Sequence, residues 1–114
     1  ERIRAAGAGI GAFFTPTGYG TELADGKEAR IIGGRGHLLE YPIHADYALI
    51  KAERGDRYGN LVYNKTARNF GPIMATAARV TVASVYTLAQ PGEIDPEVVV
   101  TPGIYVQHVV RIDR

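Results

Sequence analysis

Five local patterns succeed one another without a gap between Asp56 and Tyr86, in the stretch DRYGNLVYNKTARNFGPIMATAARVTVASVY. Asp56-Arg57-Tyr58-Gly59-Asn60 has the Gly, Asn and Asp chemistry of a tight turn. Leu61-Val62-Tyr63 is a strand-like run. Asn64 to Asn69 then forms a loop in which almost every side chain is able to hydrogen-bond. Asn69 or Gly71 is placed to cap the helix that follows, with Pro72 in its first turn, where a missing N–H costs nothing. Val80 to Tyr86, rich in β-branched and small residues, reads as a buried strand. Strand, helix and strand in this order point to an α/β layered fold. A polar loop before a helix N-terminus also suits an anionic ligand, because free backbone N–H groups point out of it. The same pattern equally describes an ordinary strand-to-helix connection with solvated side chains.

Ahead of that stretch, Glu1 to Ala8 favours a short helix, weakened by Gly7 and closed by Gly9 and Gly11. Ile10 to Phe14 reads as a strand, and Thr15 to Thr21 as a loop leaving it whose glycines and threonines could bring backbone close to a ligand or simply make a turn. Glu22 to Glu28 is a charged loop or one frayed helical turn. Arg30-Ile31-Ile32 and His37-Leu38-Leu39-Glu40 flank Gly33-Gly34-Arg35-Gly36 as a hairpin. Tyr47-Ala48-Leu49-Ile50 is a continuous apolar run of the kind covered on both faces. Lys51, Glu53, Arg54 and Asp56 follow it, where open α/β sheets place ligands. Beyond Tyr86, Val98-Val99-Val100 and part of Ile104–Ile112 are strand-like. The expected architecture is a largely parallel sheet containing Ile10–Phe14, Tyr47–Ala52, Val80–Val85 and a strand within Ile104–Ile112. Leu49, Ile50, Val82 and Val109 are expected in its core.

A chain of 114 residues, 46% hydrophobic and 22% charged, fits one globular domain spanning 1–114. Net charge is +1 with no basic run, which argues against nucleic acid as a partner. The absence of cysteine rules out disulfides and thiolate metal sites within these residues, and no run is long or apolar enough to span a membrane. A cytosolic protein is the default expectation. Glu1-Arg2-Ile3-Arg4 opens inside a helical pattern, without methionine or a capping residue, so the sequence reads as part of something longer.

Side chains that could do chemistry are few. His37, His44 and His108 fall in different elements with no metal-ligand spacing, so no metal site is expected. No nucleophile elbow or phosphate-binding loop occurs. Glu22, Glu28, Glu40, Glu53, Glu93 and Glu97 all fall where the sequence suggests solvent. From the residues alone the reading ends at an α/β domain with two ligand-capable polar loops.

Three segments carry a family resemblance: AGAGIGAFFTPTGYGTELADGKE (Ala6–Glu28), ADYALIKAERGDRYGNLVYNKTARNFGPIMATAA (Ala45–Ala78) and PGEIDPEVVVTPGIYVQHVV (Pro91–Val110). Together they resemble the second half of the A subunit of the family I CoA-transferases, a group acting on 3-oxoacids, 3-oxoadipate and acetate or acetoacetate. The implied fold is the α/β sheet of the CoA-transferase and sugar-phosphate isomerase-like type, incomplete without its N-terminal half. The implied chemistry is a ping-pong transfer of CoA between an acyl-CoA and a 3-oxo acid through a glutamyl-CoA thioester. In that family the glutamate belongs to an S-E-N-G motif of the partner B subunit, and no such motif occurs here. The resemblance therefore implies no catalytic residue in this chain, no bound cofactor (CoA being a substrate), a B-subunit partner, and a cytoplasmic location, or a mitochondrial matrix one in a eukaryote; a chain that starts inside such a subunit would also leave apolar surface bare, so an oligomer is expected. The chain would contribute substrate or CoA contacts: Thr15, Thr17, Gly18 and Gly20 in the first loop, Asn64, Thr66, Arg68 and Asn69 in the second. Arg68 or Lys65 would pair with a carboxylate or phosphate. Each has a plain alternative, the glycines as turns and the asparagines as caps. A non-catalytic small-molecule binding domain and a phosphosugar isomerase or deaminase of the related fold are the competing readings.

Overall fold

The computed structural model describes residues 1–114. Its elements are α1 (Arg2–Gly7), β1 (Phe13–Thr15), β2 (Ala29–Ile32), β3 (Arg35–Glu40), β4 (Ala45–Asp56), β5 (Leu61–Val62), α2 (Ala67–Ala77), β6 (Ala78–Ala89) and β7 (His108–Arg111). Two sheets form. The larger has the order β5-β4-β6-β7, with β4–β6 and β6–β7 parallel and β5 antiparallel at the edge. β4 and β6 pair over their whole length, from Ala45↔Ala78 to Asp56↔Ala89.

This sheet is covered on one face only. Ala48, Ile50 and Ala52 of β4 and Thr81, Ala83 and Val85 of β6 are buried under α2. Alanines at Ala48, Ala52, Ala75 and Ala83 leave room for the helix to lie close to the strands, and Leu61, Tyr63 and Val106 close the ends of the same cluster. The expectation of a run covered on both faces is therefore corrected: Ile50 is 7% exposed but Leu49 is 74% exposed, beside an equally bare Tyr47. Val82 shares the open face and is half-buried, whereas Val109 packs against the covered one. The nine residues Ala45–Glu53 also have no strand on their other edge, because β5 pairs only with Arg54 and Gly55.

A smaller antiparallel sheet, β1-β3-β2, makes an arm at one end of the molecule. The anticipated hairpin is here, turning on Gly33 and Gly34, both at positive φ (59° and 76°) as a two-residue turn of this hand requires. The first strand is a correction: it begins at Phe13 rather than Ile10, and it joins this arm through Phe13↔Glu40 rather than the parallel sheet. Leu38 is the only buried residue in the arm's strands. The molecule measures 53 × 26 × 25 Å, and its radius of gyration of 17.4 Å exceeds the roughly 13 Å of a compact chain this size. Its accessible surface of 7462 Å² is roughly 1,400 Å² above that of a compact 12.3 kDa monomer.

The second helix also differs from expectation. It begins at Ala67 with Thr66 as N-cap, so Asn69 and Gly71 lie inside it and Pro72 is interior. Pro72 removes the N–H that would have reached the Arg68 carbonyl; the helix persists because Ala75 and Ala77 are buried and Tyr63 packs on Gly71. Val98 closes a short 3-10 turn, Pro96–Val98, rather than starting a strand, and Thr101 makes a single bridge to Leu61.

Candidate functional site

The turn at Asp56–Asn60 fixes the geometry behind the second loop. The buried Asp56 carboxylate accepts from the backbone N–H of Tyr58 (2.9 Å) and of Asn60 (3.1 Å) and from the Asn60 amide (3.0 Å). The Asn60 side-chain oxygen Oδ1 accepts in turn from Gly103 N–H at 2.9 Å. Gly59, at φ 89°, and Gly103 let two backbones touch here: a Cβ on Gly103 would overlap the Tyr58 carbonyl oxygen. Tyr63 and Thr101 share a buried hydrogen bond of 2.7 Å, and burial raises the Tyr63 phenol above its ordinary pKa of 10.0, only partly offset by Thr101.

From this base runs the loop that holds Asn64, Thr66, Arg68 and Asn69. Lys65 sits at φ 52°, the one left-handed residue that is not glycine. The first turn of α2 is tight, with the N–H groups of Ala67, Arg68 and Asn69 donating to the carbonyls of Asn64, Lys65 and Thr66 at 3.3, 3.2 and 3.0 Å. The expectation of free donors pointing toward an anion is corrected here, because the loop's own carbonyls occupy them. Thr66 and Asn69 line a groove of about 390 Å³ floored by Leu49, Ile50, Phe70 and Met74, with Lys51 beside it. Asn64 and Arg68 lie outside that groove, Asn64 exposed and Arg68 at the surface of the helix's first turn. Lys51, singled out in the sequence at the carboxyl end of its strand though not among the loop contacts, holds its ammonium 4.7 Å from the centre of the Tyr86 ring.

The first loop folds back on the arm. Thr15 Oγ1 accepts from Thr17 N–H (3.2 Å), and Thr21 Oγ1 donates to the Gly18 carbonyl at 2.6 Å. Thr15 and Thr17 line a separate cavity of about 250 Å³ with Arg2, Phe13, Lys27 and Glu40, the last two ion-paired at 2.9 Å. Gly18, at φ 84°, packs against Leu23 and Leu38, while Gly20, at φ 79°, is open to solvent; neither lines the cavity. Of each predicted group only two residues line a cavity, Thr15 and Thr17 in one and Thr66 and Asn69 in the other.

The acidic groups divide in the same way. Glu22, Glu28, Glu93 and Glu97 are exposed. Glu40 and Glu53 are corrections, being half-buried and held by Lys27 and Arg114. Asp56 is fully engaged by donors that hold the turn.

The chain belongs to the coenzyme A transferase family, whose model matches residues 1–111. It is 64% identical to the A subunit of the 3-oxoadipate CoA-transferase of Pseudomonas putida over 112 residues, 98% of this chain and 48% of that protein. It is 52% identical to the A subunit of the succinyl-CoA:3-ketoacid coenzyme A transferase of Helicobacter pylori (strain J99) over 114 residues, 100% of this chain and 49% of that protein. The chain thus spans about half the length of the curated relatives it matches. In fold it resembles the acyl-CoA transferase apoenzyme of Escherichia coli O157:H7, at a TM-score of 0.85 and 19% identity over 97% of this chain and 25% of that one. Glutaconate coenzyme A-transferase from Acidaminococcus fermentans gives the same score and identity over 98% and 42%.

Proposed function

We propose that this chain is part of the A subunit of a bacterial cytoplasmic 3-oxoacid CoA-transferase, which moves CoA between an acyl-CoA and a 3-oxo acid together with a B subunit. The 64% identity along nearly the whole chain to a protein bearing that name carries the reading. The state of the carboxylates supports the division of labour. A nucleophilic glutamate must be held in register with the thioester carbon, with donors aimed at the developing oxyanion. Here every carboxylate is solvated, ion-paired or engaged in a turn. As the family resemblance implies, the attacking glutamate is one of the B subunit: it displaces CoA thiolate to form an acyl anhydride, the thiolate returns to give a glutamyl-CoA thioester and free acid, and the acceptor acid reverses both steps. The loops of this chain hold the acyl group and CoA while this happens.

The test is to express the whole A subunit with its B subunit and follow CoA exchange from succinyl-CoA to a 3-oxo acid. Exchange by the pair, none by either one separately, and borohydride trapping of the thioester on a B-subunit glutamate are the expected results. Phosphosugar turnover without CoA, or CoA found on a glutamate of this chain, would replace the reading.

A further inference from the structure

β5 is two residues long, and its own backbone does little to fix it. On one side it pairs with Arg54 and Gly55 of β4, and on the other Leu61 makes a single bridge to Thr101. In that bridge Leu61 N–H donates to the Thr101 carbonyl, and the Leu61 carbonyl accepts from Val100 N–H, each at 3.0 Å. The loop Asn64–Asn69 departs from the end of this short strand. Lys65 within it holds φ 52°, a state that a residue other than glycine keeps only when its surroundings impose it.

One side chain joins both flanks of β5. Asn60 Nδ2 donates to Asp56 Oδ2, on the last residue of β4, at 3.0 Å, and Asn60 Oδ1 accepts from Gly103 N–H at 2.9 Å. The Asn60 backbone is engaged as well: its N–H donates to Asp56 Oδ1 (3.1 Å) and its carbonyl accepts from Asp56 N–H (3.2 Å). The partners dictate the orientation of the amide, since turning it over would set oxygen against a carboxylate and N–H against N–H. Asn60 thus closes a clamp that holds β5 between the end of β4 and the segment Val100–Gly103. Beyond the clamp, Thr66 and Asn69 line one groove with Leu49 and Ile50 of β4. Their spacing from β4 depends on where β5 is held against it, and a misplacement of about 1 Å can cost roughly 100-fold in rate.

Resting on the reading that the Asn64–Asn69 loop contacts substrate, we propose that Asn60 is a positioning residue for CoA transfer. It touches no substrate itself; through Asp56 and Gly103 it fixes β5, and through β5 the place of Thr66 and Asn69 over the groove.

The experiment uses the whole A subunit with its B subunit and reads CoA exchange beside the Tm of each A-subunit variant. Asn60→Asp keeps the acceptor for Gly103 but sets a carboxylate against Asp56. It should lower kcat/KM by about tenfold or more at a temperature where circular dichroism shows the subunit folded. Asp56→Asn combined with Asn60→Asp exchanges donor and acceptor, restores every bond of the clamp, and should return both Tm and kcat/KM toward wild type. Val85→Ala, a truncation in the core of β6 away from the groove, should lower Tm and leave kcat/KM unchanged. Three results would each overturn the positioning role: Asn60→Asp with a lower Tm and unchanged kcat/KM, an exchange variant that regains Tm but not kcat/KM, or a Val85→Ala variant whose activity falls in step with its Tm. Thr66→Ala with Asn69→Ala tests the reading beneath it. A loss of kcat/KM supports the loop contact, and no loss removes that contact and the proposal with it.

Discussion

Tyr63 and Thr101, 38 positions apart, meet through their hydroxyls at 2.7 Å in the core and join the residue after β5 to the segment between β6 and β7. Phe at position 63 would keep the ring's packing and leave the Thr101 hydroxyl buried without a partner, at a cost of about 1–3 kcal/mol. Burial of the phenol, against a smaller opposing effect of the bond, gives the site a pH signature. Because burial raises the Tyr63 pKa above 10.0 in the folded state, the stability contributed by the neutral phenol is complete below that pH and is lost as pH rises through the folded value. Urea unfolding at pH 8 and at about pH 11 should therefore show the gap between wild type and Tyr63→Phe narrowing at the higher pH. A gap that widens there would contradict the assignment.

Gly103→Ala should be among the most damaging small substitutions, costing several kcal/mol, because its methyl would enter the Tyr58 carbonyl. Gly11→Ala, with open space around it, should stay within about 0.5 kcal/mol of wild type. Thermal melts of the two variants side by side measure the contrast.

Leu49→Lys separates the two faces of β4. In this 114-residue chain the change should leave stability within about 0.5 kcal/mol and reduce self-association, since Leu49 stands on a bare apolar surface. Ile50→Ala, on the covered face, should cost about 2–5 kcal/mol. Sedimentation velocity at high concentration should show dimers or larger species of the unaltered chain. A stable monomer would remove the basis for this expectation.

Within the assembled enzyme, Asn64→Ala and Arg68→Ala should lower kcat/KM by about tenfold or more, a loss near 1.4 kcal/mol of transition-state binding. The thioester should still form on the B subunit, so mass spectrometry should find no CoA on Glu22, Glu28, Glu40, Glu53, Glu93 or Glu97. Steady-state kinetics with both substrates varied distinguishes lost positioning from lost chemistry. Unchanged kinetics would mean that the two side chains touch only solvent during turnover.

The β4–α2–β6 unit was legible in the sequence because the apolar run of β4 and the β-branched residues of β6 flank a helix-like segment. The sidedness of β4 was not. Tyr47, Ala48, Leu49 and Ile50 are all apolar, so the alternation that exposes Leu49 and buries Ile50 leaves no mark in hydropathy. The partner of β1 was equally hidden, since Phe13-Phe14-Thr15 does not encode whether its neighbour is parallel. Pro72 misled the start of α2, because a proline marks a helix's first turn only when burial of the residues around it does not hold a longer helix together. The two polar loops were found by composition, but their separation into two cavities depends on the arm's placement. The Asp56–Asn60–Gly103 link spans 43 residues between Asn60 and Gly103 and has no local signature.

An interior of one leucine, Leu38, sets how the arm behaves apart from the rest. Such a sheet opens at a free energy well below that of β4 and β6, as a cooperative unit of its own. Its peptide bonds at Arg30 and Arg35 should accordingly open to trypsin without global unfolding. A surface borne by so loosely held a unit is bound at the expense of ordering it, and whatever seats on it becomes part of the arm's fold. The stability of that end of the molecule then follows the concentration of its neighbour.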